Sequence, residues 1–152
     1  MNAEADGHDS PLPMACVIIE RGQGRVVLVK RRDPPDTWVI PSGAVRYGES
    51  AEDSARRTVM DEAGVSVLLT ELLGVYSQLA RSPEVHGLTA TYIGRSREPL
   101  VAGGQASDVR EFPLDSLPNL GPDHERILRD YAHFKDTGAR PRPTPDGEPT
   151  IS

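Results

Sequence analysis

One helical segment, residues 50–64, is flanked on both sides by runs of β-forming residues. Ser50 is a suitable N-cap, because its hydroxyl can accept a hydrogen bond from a first-turn N–H, and Asp53 completes a weak capping box. Gly64 is placed to end the helix in a left-handed conformation. Between these ends, small apolar residues recur at helical spacing, at Ala51, Ala55, Val59 and Ala63. Such a stripe allows a helix to lie close to a sheet.

Runs rich in Val, Ile, Leu and Thr predict that sheet. "MACVIIE" and "RVVLVKR" are separated by "RGQG", which is typical of a β-hairpin, and "TWVIP" predicts a short strand. "VSVLLTELLGVYSQLA" predicts one or two strands, and "GLTATYIGR" and "VREFPL" predict one each. "PDHERILRDYAHF" predicts a closing helix whose core-facing residues are Ile127, Leu128, Tyr131 and Phe134. Since most strands lack crossover helices between them, the pattern predicts an α/β protein of the α+β type and not a doubly wound sheet.

Composition separates a folded centre from two polar ends. The N-terminal end carries acidic residues and no basic one, and the C-terminal "TGARPRPTPDGEPTIS" is rich in Pro and poor in apolar side chains. Neither end buries enough apolar surface to offset the entropy of ordering. We therefore expect a disordered lead over residues 1–12, a domain over 13–135 and a disordered tail over 136–152. Cys16 lies in an apolar run and predicts a core thiol with no disulfide.

The charge distribution argues against several partners. The chain has 152 residues and a formal net charge of −6, and no basic stripe that suits duplex nucleic acid or anionic lipid. No apolar run is long enough to span a membrane, and the acidic start lacks the apolar stretch of a signal peptide. We therefore expect a cytoplasmic protein that binds neither duplex nucleic acid nor membrane. The sequence leaves monomer and homodimer open.

Charge is concentrated toward the C-terminal end of the helix. Asp61 and Glu62 are adjacent, Thr58 lies one turn before both, and Arg57 is four residues before Asp61. Residues three and four apart share a helix face, so Arg57 is placed to hold the Asp61 carboxylate. Glu49 precedes the helix, and carboxylates gathered in one place are relieved by a hard divalent cation such as Mg²⁺ or Mn²⁺. On the charges alone, the alternative is a solvated face of i,i+4 ion pairs.

The spacing of these residues favours the metal site. The pattern comprises Gly43, Glu49, Arg57, Val59, Asp61, Glu62, Gly64 and Val65. It resembles the Nudix box, the signature of Nudix hydrolases. "VLVKRRDPPDTWVIPSG" before it and "VREFPLDSLPNL" after it resemble the segments that accompany the box, so the resemblance spans most of residues 13–135. It implies a Nudix-type α/β/α sandwich, in which helices flank a mixed β-sheet and the box forms a loop–helix–loop.

The resemblance also implies an activity, the hydrolysis of an organic or nucleoside diphosphate with Mg²⁺ or Mn²⁺. Metal ions neutralise diphosphate oxygens and activate water. On the matching positions, Asp61 and Glu62 are expected as metal ligands, with the Gly43 carbonyl as a third and Glu49 in reserve. Arg57, together with Glu49, is expected to orient the helix carboxylates.

Three residues ahead of the box are expected to contact the substrate. Arg31 matches a position that often meets substrate phosphate in the family, and its alternative is a solvated loop arginine. Arg32 and Trp38 serve recognition of a nucleotide-like or other small-molecule diphosphate in the same interpretation.

The sequence departs from the family pattern at three positions. Thr58 replaces a glutamate that binds metal or acts as the base, and a hydroxyl neither carries charge nor titrates near neutral pH. Gln105 stands at a loop position where relatives often have an acidic residue. Asp61 is one methylene shorter than the family glutamate. His86, next to a predicted strand, is a candidate base because histidine titrates near neutral pH. Its alternative is an ordinary strand-edge histidine.

Two functions follow from these departures. The first is a metal-dependent diphosphatase of Nudix type, with reduced or altered activity and a base supplied from elsewhere. The second is a catalytically weak or inactive Nudix module that binds a nucleotide or phosphorylated metabolite as a sensor or accessory protein.

Overall fold

The computed structural model describes residues 10–32, 36–78, 86–121 and 123–143. Within these ranges the chain forms seven strands and two helices. In chain order they are β1 (Leu12–Gly22), β2 (Arg25–Arg31), β3 (Thr37–Val39), β4 (Ser42–Ala44), α1 (Ala51–Ala63), β5 (Leu68–Gln78), β6 (Gly87–Arg95), β7 (Ala106–Pro113) and α2 (His124–Thr137).

The strands form one mixed sheet with β1 near its centre. The main order is β3-β2-β1-β6-β5, while β4 pairs with β1 and β7 pairs with β2. The whole of β6 pairs in parallel with residues 12–20 of β1, and the other pairings are antiparallel. The predicted hairpin between β1 and β2 is confirmed, as is the mixed sheet with flanking helices.

The core lies on both faces of this sheet. Successive strand residues point to opposite faces, and β1 is apolar at both sets of positions. Ile18 packs in one cluster with Ile127, Leu128 and Tyr131 of α2. Residues from the alternate positions of β1 pack in a second cluster with the small-residue stripe of α1. One helix therefore covers each face, and the result is an α/β/α sandwich.

Both predicted ends of α1 are confirmed. The Ser50 hydroxyl accepts from the Asp53 N–H at 3.0 Å. Gly64 adopts φ 73°, and its N–H donates to the Met60 carbonyl at 3.1 Å. Only residues that tolerate the left-handed region end a helix in this way, which explains the glycine.

Cys16 is a core thiol, as its apolar run predicts. It is buried, and its Sγ donates to the Thr91 hydroxyl at 3.2 Å. Burial raises the pKa of the Cys16 thiol to about 12, which keeps it protonated and unreactive.

The structure extends past the predicted C-terminal limit of the domain. α2 continues to Thr137, and Arg140 donates to the Leu72 carbonyl at 2.9 Å and pairs with Glu71. The Arg140 guanidinium also lies 5.0 Å from the ring centre of Phe134. Residues 1–9 and 144–152 lie outside the described residues, so the predicted disordered ends stay a prediction. Neither helix in the described ranges has the length and apolar character needed to cross a bilayer.

Candidate active site

β4 and α1 approach each other closely where the predicted box begins. β4 pairs with β1 through Ala15 opposite Gly43. A Cβ atom on Gly43 would lie 2.6 Å from the Thr58 Oγ1, a separation that side chains do not tolerate. A larger residue at position 43 would therefore force Thr58 or α1 to shift away from this strand.

Arg57 joins the loop before α1 to the helix. Its Nε and Nη2 donate to the two carboxylate oxygens of Glu49 at 2.8 and 2.9 Å, and Nη2 also donates to the Ala44 carbonyl at 2.9 Å. These hydrogen bonds, with one from the Arg46 N–H, lower the pKa of Glu49 to about 2. Arg57 Nη1 lies 3.7 Å from Asp61 Oδ2. Its main partner is therefore Glu49, and the predicted contact with Asp61 is the longer one.

Glu62 is buried at the end of α1 and has two partners from the sheet. Arg31, the last residue of β2, donates to Glu62 Oε2, and the Ser42 N–H donates to Oε1 at 3.3 Å. Arg31 is held in turn, because its Nη2 donates to the Ser42 carbonyl at 3.1 Å. Burial raises the pKa of Glu62 above its ordinary value, although the Arg31 guanidinium acts in the opposite direction.

These groups surround a cavity of about 280 Å³. Its walls come from the end of β2, from β4 and the loop after it, from the face of α1 that lies against β4, and from a loop before β7. The lining residues are Arg31, Ser42, Gly43, Arg46, Arg57, Thr58, Asp61, Glu62, Gly104 and Gln105. Three arginines and two carboxylates therefore face one small space, which suits an anion bound together with a cation.

Thr58 lines this cavity with a buried hydroxyl. The residue is 3% exposed, and its Oγ1 has no hydrogen-bond partner among the described residues. A buried hydroxyl left in this state costs about 1–3 kcal/mol. Buried polar groups in native structures nearly always have a hydrogen-bond partner, and a ligand or a water in this cavity would supply one to Thr58.

The comparison with known proteins agrees with this geometry. The family model for the NUDIX domain matches residues 11–131. The chain belongs to the Nudix hydrolase family. The matched range contains every residue that lines the cavity.

Two curated Nudix relatives are similar over most of their length. ADP-ribose pyrophosphatase of Methanocaldococcus jannaschii is 35% identical over 121 residues, which is 78% of this chain and 71% of that protein. A putative 8-oxo-dGTP diphosphatase of Bacillus subtilis is 30% identical over 118 residues, or 77% of each chain. The crystal structure of a MutT NUDIX hydrolase from Burkholderia pseudomallei has the same fold, with a TM-score of 0.73 at 24% identity over 80% of this chain and 98% of that one.

The ligands of this Nudix site are of the type that binds a divalent ion, but they are few. Asp61 and Glu62 supply two carboxylates, and the Thr58 hydroxyl lies beside them. Within the described ranges, no three His, Cys, Asp or Glu side chains come together as a metal-binding group. Mg²⁺ is commonly bound by one or two carboxylates together with substrate phosphates. The cavity therefore fits an ion that is shared with a bound diphosphate.

Four predicted site residues do not line the cavity. One of them, Glu49, is bound to the cavity residue Arg57, and its place as a reserve metal ligand stays a prediction. His86 is exposed beside the start of β6, where its carbonyl accepts from the Leu12 N–H at 2.7 Å. Trp38 belongs to the core, with its ring centre 4.9 Å from that of Phe112. Arg32 is exposed just after β2. A catalytic role for His86 and substrate contacts for Trp38 and Arg32 stay predictions.

The structure adds residues that the sequence patterns did not single out. Ser42 connects Glu62 to Arg31 through its backbone, and Arg46 brings a third cation to the cavity. Both flank Gly43 within the predicted loop, which is the signal that would have pointed to them. Gln105 also lines the cavity, and the loop before it is held against α1 because the Val101 N–H donates to the Ala63 carbonyl at 2.9 Å.

Proposed function

We propose that the protein is a divalent-metal-dependent Nudix hydrolase that cleaves the diphosphate of an organic or nucleoside diphosphate. The observation that carries the proposal is the convergence of Asp61, Glu62 and three arginines on one cavity between the Nudix box, the end of β2 and the loop before β7. The relatives support it, since their names describe a pyrophosphatase of ADP-ribose and a diphosphatase of 8-oxo-dGTP. A cytoplasmic location is part of the proposal and rests on the sequence alone.

The arginines bind and orient the substrate in this proposal. Guanidinium groups donate two parallel hydrogen bonds to phosphate oxygens, which fixes orientation as well as charge. Arg46 and, once its bond to Glu62 is exchanged, Arg31 are the cavity arginines that can turn toward a phosphate, since Arg57 is committed to Glu49 by two hydrogen bonds. When Arg31 turns, Glu62 loses its ion pair and becomes available as a ligand.

Asp61 and Glu62 would hold the divalent ion, which when bound supplies Lewis-acid stabilisation of the phosphate oxygens and an activated water. Glu49 and Arg57 keep the loop and helix in register so that both carboxylates face the cavity. Thr58 offers a hydroxyl that donates or accepts a hydrogen bond but does not remove a proton. Its role is to position a water molecule or a phosphate oxygen.

The test is turnover of a diphosphate panel with and without Mg²⁺ or Mn²⁺. ADP-ribose and nucleoside diphosphate derivatives are incubated with the protein, and release of monophosphate is followed. We expect metal-dependent turnover that falls about 100-fold or more in Glu62→Gln, since loss of one group that stabilises the transition state costs that much. Glu52→Gln, on an exposed first-turn position of the same helix, serves as the matched control and should retain activity.

One observation favours the alternative, a Nudix module that binds without hydrolysis. Glu49, Asp61 and Glu62 all have an arginine within ion-pair distance, since Glu49 pairs with Arg57, Glu62 pairs with Arg31, and Asp61 lies 3.7 Å from Arg57. A cavity with its carboxylates neutralised binds an anion without a metal. Calorimetry in EDTA separates the cases: micromolar binding of a nucleoside diphosphate, with no turnover in either metal, would favour the binding module over the enzyme.

A further inference from the structure

A second and larger cavity, of about 950 Å³, opens at the other end of the sheet. The β1–β2 hairpin, the end of β6 and the C-terminal half of α2 line it, and it shares no lining residue with the Nudix cavity. Arg25 begins β2 at this cavity, and Arg31 ends β2 at the Nudix cavity. Six residues of extended strand span about 20 Å, so the two cavities are separate.

The lining of this distal cavity is strongly basic, whereas the chain as a whole is acidic, with a net charge of −6. Five basic and two acidic side chains face it, an excess of three positive charges. The basic residues are Arg21, Arg25, Arg95, Arg97 and Lys135, and the acidic residues are Glu20 and Glu111. A concave surface lined by one sign of charge concentrates the field and attracts ions of the other sign.

Both acidic residues are already paired. Glu111 accepts from Arg21 at 2.8 Å, and Glu20 lies 2.9 Å from the Lys135 ammonium. Glu20 also accepts from the Tyr131 hydroxyl at 2.6 Å. Neither carboxylate therefore remains to neutralise another cation of the cavity.

Three arginines of the distal cavity take no part in these pairs. Arg25, Arg95 and Arg97 are exposed and form no ion pair within the part of the chain that the structure describes. They come from the start of β2, the last residue of β6 and the loop after β6. Three guanidinium groups around one cavity repel each other, and a multiply charged anion removes that repulsion.

We propose that the distal cavity binds a small organic polyanion with two or more phosphate groups. Its volume lies in the range of about 300–1,000 Å³ that is typical of small-molecule sites. Arginine is the residue best suited to phosphate, because its planar guanidinium donates two parallel hydrogen bonds. The three arginines without an ion pair surround one cavity in an acidic chain and form no extended basic stripe, which favours a small molecule over nucleic acid. This site does not depend on the proposed hydrolysis.

The experiment titrates inorganic tripolyphosphate into the full chain in EDTA and follows backbone amides by NMR. Because the Nudix cavity also contains arginines, the two sites are read separately, from residues 24–26 and 95–97 at the distal cavity and from 42–62 at the Nudix cavity. The test variant is Arg25→Gln/Arg95→Gln/Arg97→Gln.

A second triple variant controls for net charge. Arg56, Arg129 and Arg142 are exposed and line neither cavity, so Arg56→Gln/Arg129→Gln/Arg142→Gln removes the same charge elsewhere. We expect distal affinity to fall about tenfold or more in the test variant and about twofold in the control, since charge-assisted hydrogen bonds are strong and local. The shifts at 42–62 should persist in both variants.

Three results would overturn the proposal. One is a set of shifts confined to residues 42–62. Another is an equal loss of distal affinity in both triple variants, which would show a general charge effect. The third is saturable binding of a single-stranded oligonucleotide at the distal cavity with none of tripolyphosphate, which would assign the surface to nucleic acid.

Discussion

Two arginine–carboxylate pairs hold opposite ends of the Nudix box. The pKa of the carboxylate is shifted in opposite directions in the two pairs, because only one of the carboxylates is buried. Glu49 receives two hydrogen bonds from Arg57 and one from a backbone N–H, and its pKa falls to about 2. Glu62 has Arg31 as its partner, yet its pKa is raised because burial removes the hydration of the charged form. A low-dielectric setting penalises a charge even when the partner is close.

The difference assigns different roles to the two pairs. Glu49 and Arg57 satisfy each other and fix the loop before α1. Glu62 remains incompletely compensated, so a stronger cation gains more by approaching it. The first pair is suited to holding the box together, and the second to exchanging its partner when a ligand binds.

The largest effect on stability is expected from breaking the buried pair. Arg31→Met leaves the Glu62 carboxylate buried without its cation, which costs about 3 kcal/mol of unfolding free energy at neutral pH. Urea unfolding measures the loss. Arg57→Met, which breaks the more exposed pair, serves as the comparison and should cost about 1 kcal/mol. Adding Glu62→Gln to Arg31→Met should recover most of the loss, and a further loss instead would show that Arg31 stabilises through packing.

The next largest loss of unfolding free energy is expected from a steric change at Gly43. Gly43→Ala places a methyl group 2.6 Å from Thr58 Oγ1, and overpacking of this kind costs about 1–3 kcal/mol. Thr58→Ala removes the atom in the way, so the double variant should be more stable than the sum of the single effects allows. Additive losses in the unfolding free energy would place the strain elsewhere than at this contact.

Local patterns in the sequence predicted the elements that local physics determines. The Ser50 and Gly64 caps, the β1–β2 hairpin and α2 follow from residues within a few positions of each other. β4 was not predicted, because three residues around Gly43 carry no strand pattern and are extended only by pairing with β1. The antiparallel pairing of β7 with β2 is a long-range contact of the same kind.

The residues of the candidate site also fall into two groups, those that the spacing of the box indicated and those that only long-range packing brings together. The spacing of the box correctly brought Gly43, Asp61 and Glu62 to one cavity. The partner of Glu62 was not predicted, because Arg31 is 31 residues away in sequence and meets it only when β2 and α1 pack. Trp38 was expected to serve substrate recognition together with Arg31 and Arg32, and the structure places its ring in the core, so that role stays a prediction. Sequence proximity does not tell which face of a short strand a side chain takes.

The pH dependence of stability should reveal the Glu49 pair. The folded pKa of Glu49, about 2, lies below its unfolded value of about 4.3. Its contribution is therefore present above the unfolded pKa and is lost as pH falls from about 4.3 toward the folded value. Urea midpoints of the wild type should drop more steeply between pH 5 and pH 3 than those of Glu49→Gln. Parallel curves would show that Arg57 does not favour the ionised carboxylate.

The smallest change in stability is expected at Thr58, and its sign is the informative part. Thr58→Val replaces a buried hydroxyl that has no partner within the described residues by a methyl group of similar shape. Removing the desolvation penalty and adding a slightly larger group should leave a net gain of about 1 kcal/mol in unfolding free energy.

If the hydroxyl positions water or phosphate, turnover should fall about tenfold in the same variant, a loss of about 1.4 kcal/mol in the transition state. Thr58→Ser keeps the hydroxyl and should keep the turnover, although it loses the buried methyl. A Thr58→Val protein that is less stable and equally active would mean that the hydroxyl serves packing and not the ligand. A gain in stability coupled to a loss of turnover would show that the chain retains an unsatisfied group for the sake of its site.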